Sequence, residues 1–510
     1  MTIPDYDRLL RVRTLGELKR SGYQVLPVKE EIRRNLLRKL RKGETLFPGI
    51  LGYDRTVIPQ LVHALLAKHD IILLGLRGQA KSRIIRLLPE FLDEYVPVLE
   101  GSETNDNPFE PISRYGRRLV QEAGDDAPIA WLHRSQRYGE KLATPDTTIA
   151  DLIGDIDPIK AATRRLTYAD EEVMHFGLIP RMNRGIFAIN ELPDLAPRIQ
   201  VGLLNILQER DVQIRGFPVR LPLDILMVFS ANPEDYTNRG SIITPLKDRI
   251  DSQILTHYPR SLEVALAITE QEAWTERGLV RVHTPHIYRE IIEQIAFEAR
   301  QSEFVDQKSG VSTRLPIAAC ENLISSVERR AVRNGESEAA VRVSDLYHTV
   351  PAITGKLELV YEGEQEGPLA VARLLIGRAI KARFVHYFPD PNRKPDGRRP
   401  YQEILDWFAQ GNTLSLPDDL PQPEYQKRLE SVPGLSELVC RHTRPGNDLE
   451  RLSMMELVLE ALHQHSLLGK RDLDDEHAYV DLVGTMLTGL RQSDADADED
   501  DEERSGKSRW

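Results

Sequence analysis

The segment GLRGQAKS, Gly75 to Ser82, directly follows the apolar run IILL. Gly75 can open a tight turn, Lys81 is spaced to reach the β- and γ-phosphates of a nucleoside triphosphate, and Ser82 can ligate Mg²⁺. The following stretch SRIIRLLPEFL reads as a helix whose N-terminus faces those phosphates, where free N–H groups and the helix dipole favour an anion. Ala80 stands where the usual phosphate-loop pattern has Gly, so the loop must curve with one less permissive residue, and Gly78 is expected to supply the freedom. A loop of this kind, taken alone, is also an ordinary strand-to-helix turn.

A second motif narrows the choice. In GIFAINEL an apolar strand ends in Asn190 and Glu191, where nucleotide hydrolases place two carboxylates, one for Mg²⁺ through water and one to activate the attacking water. Glu191 is the candidate general base. Asn190 is the candidate metal-side residue; it can accept a hydrogen bond from metal-bound water but brings no charge, which predicts weaker Mg²⁺ retention or slower turnover. The bland reading is a buried strand whose polar end caps a helix.

Two further positions follow in order. ILMVFSANPED puts Asn232 at a strand end, where an amide can orient water beside a γ-phosphate, although Asn before Pro is equally a turn signal. TPLKDRID offers Arg249, a fixed charge suited to phosphoryl-transfer chemistry on a neighbouring subunit's nucleotide; an isolated arginine is more often a surface ion pair.

These residues need a scaffold. The chain has 510 residues, enough for more than one domain. Residues 1–45 read as a helical extension, as in EEIRRNLLRKLRK. Residues 46–260 alternate helical segments with apolar runs such as FAI and ILMVFSAN, the pattern of an α/β domain with a parallel sheet. Helical periodicity then dominates, giving an expected helical lid over 261–360 and a helical C-terminal region over 361–490. The run DADADEDDEE within 491–510 predicts a disordered acidic tail. GRRLVQEAGDDAP and HRSQRYGEK read as an exposed insertion whose polar residues face water.

Composition excludes several classes. Hydrophobic residues make up 41% and charged residues 29%, with no apolar run near the roughly 20 residues that a membrane span needs. The charged N-terminus lacks a signal-peptide pattern, so a cytoplasmic location is expected. The 2 cysteines, Cys320 and Cys440, are too few and too isolated for a disulfide framework and read as buried helix residues. A formal charge of -12 argues against broad nucleic-acid binding, and the basic stretches RRAVR and RKPDGRR read as solvated faces.

With these motifs in order, the chain resembles the AAA+ ATPases of the magnesium-chelatase I-subunit and MoxR group over roughly Phe47 to Gly355. FPGILGYD resembles the motif that opens the family's core, TTIADLIGDID the segment before its sensor-bearing insertion, and RGIFAINEL its acidic strand. LLNILQERDVQIRG resembles the helix and hairpin that follow. In GVSTRLPIAACENL, Arg314 matches the lid arginine that contacts the γ-phosphate.

The resemblance implies an AAA+ P-loop NTPase core followed by a helical lid. It also implies ATP and Mg²⁺ as cofactors, a self-assembled ring, often hexameric, and a protein partner that carries a von Willebrand factor A domain. Its catalytic set is Glu191, Asn232, Arg249 and Arg314. Its nucleotide-binding set is Gly75, Gly78, Ala80, Lys81 and Ser82, with Ser82 and Asn190 toward the metal. The leading expectation is an ATP-hydrolysing motor that remodels or activates a partner, with a metal-insertion complex among the candidates. The alternatives are a nucleotide-binding scaffold with little turnover, and a transcriptional activator of the same superfamily, whose GAFTGA loop this sequence lacks. Neither a membrane nor a nucleic acid is an expected partner.

Overall fold

The computed structural model describes residues 6–156, 173–213, 220–232, 240–393, 400–473 and 476–482. The chain divides into two compact units, Met1–Tyr258 and Pro259–Trp510. The tail expected over 491–510 and most of RKPDGRR fall outside the described residues.

The strands of the first unit are β1 (Ile71–Leu74), β2 (Tyr95–Leu99), β3 (Ile129–His133), β4 (Tyr138–Leu142), β5 (Gly154–Ile156), β6 (Met174–Phe176), β7 (Gly185–Asn190), β8 (Asp211–Gln213), β9 (Arg220–Pro222), β10 (Ile225–Ala231) and β11 (Ser252–Leu255). Five of them form a parallel sheet in the order β11-β1-β10-β7-β4. The pairs β2–β3, β5–β6 and β8–β9 are antiparallel. β1, β7 and β10 are buried at every position, as expected of parallel strands covered on both faces, which is why they read as unbroken apolar runs.

The boundary expected at residue 45 does not separate two cores. Helix Val28–Lys42 buries Val28, Ile32 and Leu36, spaced four apart on one face, into the same cluster as Leu61, Ile71 and Val228. Its charged residues join the sheet as well. Glu31 makes a two-point ion pair with Arg137, at 2.8 Å on each contact, and the backbone N–H of Val28 donates to Asp224 at 3.0 Å.

The expected polar insertion is corrected by the same pair. GRRLVQEAGDDAP forms most of helix Arg114–Ala123, and HRSQRYGEK contributes β4, an edge strand of the main sheet. Arg137 is 1% exposed. A buried ion pair leaves no apolar signature, so the segment looks like solvated loop until its partner, over a hundred residues away in the chain, is seen.

In the second unit the strands are β12 (Arg281–His283), β13 (Glu338–Ala340), β14 (Leu414–Pro417), β15 (Gly469–Leu473) and β16 (Glu476–Val480). β12 and β13 pair in parallel, and β14, β16 and β15 form an antiparallel sheet in that order, so the region expected to be helical also holds strands. The boundary expected at 360 does not divide the packing: one core runs from Val280 to Tyr479. Its axis is helix Asp448–Gln464, buried from Leu452 to Leu462 without a break. Cys320 is buried in helix Arg314–Asn334 as expected, whereas Cys440 is exposed on helix Leu435–His442. Arg330 of RRAVR is buried against Asp345 at 2.7 Å, which corrects the solvated reading there. Among the described residues no helix is long and apolar enough to cross a membrane.

Candidate functional site

The carboxyl ends of the parallel strands β1, β10 and β7 lie side by side, and in open α/β sheets ligands bind beyond such ends. β1 runs into the loop Gly75–Ala80 and helix Lys81–Leu87, β10 ends one residue before Asn232, and β7 ends at Asn190. Three of the sequence motifs therefore meet on one edge. The middle strand, β10, lies between the two that carry Lys81 and Glu191.

The loop is closely supported from below. A Cβ on Gly75 would fall 1.9 Å from the Thr256 hydroxyl and 2.2 Å from Gln79 Oε1, so only glycine fits. Thr256 donates to Gln79 Oε1 at 2.7 Å, and its backbone N–H donates to Leu74 O at 2.8 Å. The Tyr53 hydroxyl lies 2.7 Å from His257 O and 3.1 Å from Gln79 O. Burial pushes this phenol up to about 12, so it remains a donor. Tyr258 donates to Arg77 O at 2.9 Å.

Gly78 takes φ +73°, the freedom expected of it. Ala80 takes φ +57° and ψ +13°, so the residue that departs from the pattern sits in the left-handed conformation that glycine would adopt without strain. Lys81 is 8% exposed, and its ammonium donates to the carbonyls of Gly75 and, at 3.0 Å, Leu76. The loop thus closes around its own lysine. Ser82 is exposed beside it.

At the end of β7, Asn190 Oδ1 accepts a hydrogen bond from the Ser230 hydroxyl at 3.0 Å. The backbone N–H of Glu191 donates to the same Ser230 oxygen at 3.4 Å. Glu191 itself adopts φ +54°, ψ +52°, which turns the chain sharply away from the strand. Asn190 and Asn232 are 8% and 7% exposed, at the edge of the buried sheet.

Arg249 ends helix Thr244–Arg249 and donates to Gln208 Oε1 at 2.8 Å and Pro245 O at 2.9 Å. Arg314 is the exposed first residue of helix Arg314–Asn334 in the second unit.

The donor set fits phosphate oxygens, with a buried ammonium and a loop in phosphate-binding order. Its fit to a divalent cation is narrower. Ser82 is a suitable hydroxyl ligand, but Asn190 brings an amide oxygen already engaged by Ser230. Among the described residues no group of three or more His, Cys, Asp or Glu side chains could hold a metal ion. The set suits a cation carried in on phosphates better than one held by protein carboxylates.

Sequence reasoning missed Tyr53, Thr256, Tyr258 and Ser230. Tyr53 lies inside the quoted FPGILGYD and Ser230 two residues before Asn232. The signal was present, but their partners are distant in the chain.

No protein-family model and no curated protein matches the sequence. Among solved structures, a complex of the magnesium-chelatase subunits BchI and BchD matches at 19% identity, covering 63% of this chain and 98% of that one, with a TM-score of 0.33. A putative ATPase from Cytophaga hutchinsonii matches at 16% identity over 72% and 98% of the two chains, with a TM-score of 0.29. NtrX from Brucella abortus in complex with ADP matches at 14% identity over 82% and 72%, with a TM-score of 0.33.

Proposed function

We propose that the chain binds ATP on the Gly75–Ser82 loop and hydrolyses it with Glu191 as general base, as an AAA+ motor of the magnesium-chelatase and MoxR kind that acts on a partner protein. The observation that carries this reading is the gathering of Lys81, the Asn190–Glu191 pair and Asn232 on the ends of three adjacent parallel strands.

On this reading Lys81 exchanges its loop carbonyls for phosphate oxygens, a charge-assisted replacement that needs no new burial. Glu191 accepts a proton from the attacking water, and Asn232 orients that water or the terminal phosphate. When bound with the nucleotide, Mg²⁺ would neutralise charge on the phosphate oxygens, with Ser82 as its protein ligand. Arg249 and Arg314 would supply positive charge to a developing transition state, Arg249 across a subunit boundary in a ring. A partner with a von Willebrand factor A domain and a cytoplasmic setting belong to the same proposal.

The neutral Asn190 and the strained Ala80 favour a second reading, a scaffold that binds nucleotide with little turnover. Phosphate release and ATP affinity, measured on wild type, Glu191→Gln and Lys81→Ala, separate the two. Turnover that Glu191→Gln abolishes while binding persists supports the motor. Tight binding without phosphate release supports the scaffold, and ATP binding unaffected by Lys81→Ala would overturn both.

A further inference from the structure

We infer that Tyr53 is a positioning residue that compensates for the missing loop glycine: its hydroxyl holds the peptide before Ala80, so that this alanine keeps the left-handed conformation of an anion-binding loop. The inference rests on the nucleotide reading above and deepens it at one position.

A peptide unit is planar, so the backbone of a residue is set by how its two flanking peptides are turned. At Ala80 the following peptide is fixed by the helix: Ala80 O accepts from the Ile84 N–H at 3.0 Å, the bond that opens helix Lys81–Leu87. The preceding peptide carries Gln79 O and lies outside the helix ladder. Its rotation is the route by which Ala80 would leave φ +57° for the negative φ that alanine prefers.

Tyr53 opposes that rotation. Its hydroxyl lies 3.1 Å from Gln79 O and 2.7 Å from His257 O, so one phenolic proton is shared between the loop peptide and the segment that leaves β11. A turned peptide would carry Gln79 O away from this donor. The Gln79 side chain is bonded as well, to the Thr256 hydroxyl at 2.7 Å. The phenol is itself anchored. Tyr53 is 5% exposed, its carbonyl accepts from the N–H groups of Thr56 and Ile58 at 3.1 Å each, and its ring meets the His257 ring edge-on at 4.9 Å.

A left-handed residue beside a right-handed one is a backbone pattern in which successive N–H groups form a concavity for an anion. Ala80 is left-handed and runs directly into the right-handed first turn of helix Lys81–Leu87. Glycine enters that conformation without strain, whereas alanine has to be held there.

The test is a double-mutant cycle of Tyr53→Phe and Ala80→Gly on the full chain, read by calorimetric ATP affinity with Mg²⁺ and by melting temperature without nucleotide. Tyr53→Phe lets the empty loop relax, and binding must then restore the strained form; the cost of a left-handed alanine predicts affinity lower by about five- to thirtyfold. In the Ala80→Gly background the same substitution should weaken binding by no more than about threefold. His257 O loses its donor in both backgrounds, so that loss cancels in the comparison. Without nucleotide, Ala80→Gly should raise the melting temperature less in Tyr53→Phe than in wild type.

The inference fails if Tyr53→Phe keeps wild-type affinity, or if it weakens binding by the same factor with and without Ala80→Gly, as loss of packing alone would do. If no variant binds ATP, the nucleotide reading fails, and the melting temperatures still judge the hold on Ala80: an equal rise from Ala80→Gly in both backgrounds shows that Tyr53 does not provide it.

Discussion

Glu31 and Arg137 meet through two parallel contacts of 2.8 Å, both side chains sealed from water, and join the first long helix to the edge of the parallel sheet. Arg137 also donates through Nε to Arg184 O at 2.7 Å. The pair belongs to a set of charges at the amino ends of the strands. There Asp70, just before β1, meets Lys29 at 2.8 Å and Arg210 at 2.6 Å. One edge of the sheet is thus committed to structure and the opposite edge to the candidate site.

Arg137→Met should destabilise the first unit by about 3–5 kcal/mol, because it leaves the Glu31 carboxylate buried without its partner. Adding Glu31→Gln should recover a large part of that loss. Urea unfolding of the single and double variants measures both; equal midpoints for Arg137→Met and wild type would show that the pair contributes nothing.

Ala80→Gly should stabilise the loop. Its φ of +57° costs an alanine roughly 1–2 kcal/mol, against a smaller entropic loss from added freedom in the unfolded chain. A net gain of about 1 kcal/mol is expected, read as a higher melting temperature.

Glu293 gives the second unit a dependence on pH of one sign. Burial is the main cause that lifts its carboxyl from 4.5 to about 7, against a hydrogen bond from Thr269 and the charge of Arg300. Between these values the native state holds a proton that the unfolded state has released, so stability falls as pH rises through this window. Glu293→Gln should abolish that decline and stabilise the protein at pH 8 by about 2–3 kcal/mol.

Glu460 acts in the opposite sense. Burial would raise its carboxyl, but Lys470 at 2.9 Å and the donors Tyr347 and Gln464 hold it down to about 2, and the Tyr479 hydroxyl also donates to it at 2.8 Å. Its contribution is present above the unfolded value and is lost as pH falls toward 2. Protection of helix Asp448–Gln464 against hydrogen exchange, taken relative to the intrinsic exchange rate at each pH, should therefore fall below about pH 4.5 in wild type, with a weaker pH response in Glu460→Gln.

The phosphate loop and the strand ends were legible because each depends on local order. An apolar run of four to seven residues followed by a polar residue is visible without knowing what lies beside it. The second unit was less legible. Helix Asp448–Gln464 is buried on all sides and carries Glu456 and Glu460 inside, so it shows no amphipathic period, and the short strands β14 to β16 become recognisable only once paired. Positions 45 and 360 fall inside continuous cores for a related reason. A change in periodicity marks a change of element type and need not mark the edge of a core.

The sequence by itself determined the apolar strands, the glycine at position 75, the lysine and serine that follow the loop, and the neutral residue at position 190, because these are matters of composition and spacing along one segment. Only the tertiary structure decided that Ser230 is bonded to Asn190, that Tyr53 and Thr256 support the loop, and that Arg137 belongs to the core. Each of those depends on hydrogen bonds between residues tens to hundreds of positions apart. Their geometry is fixed by strand register and helix packing, which no local window contains.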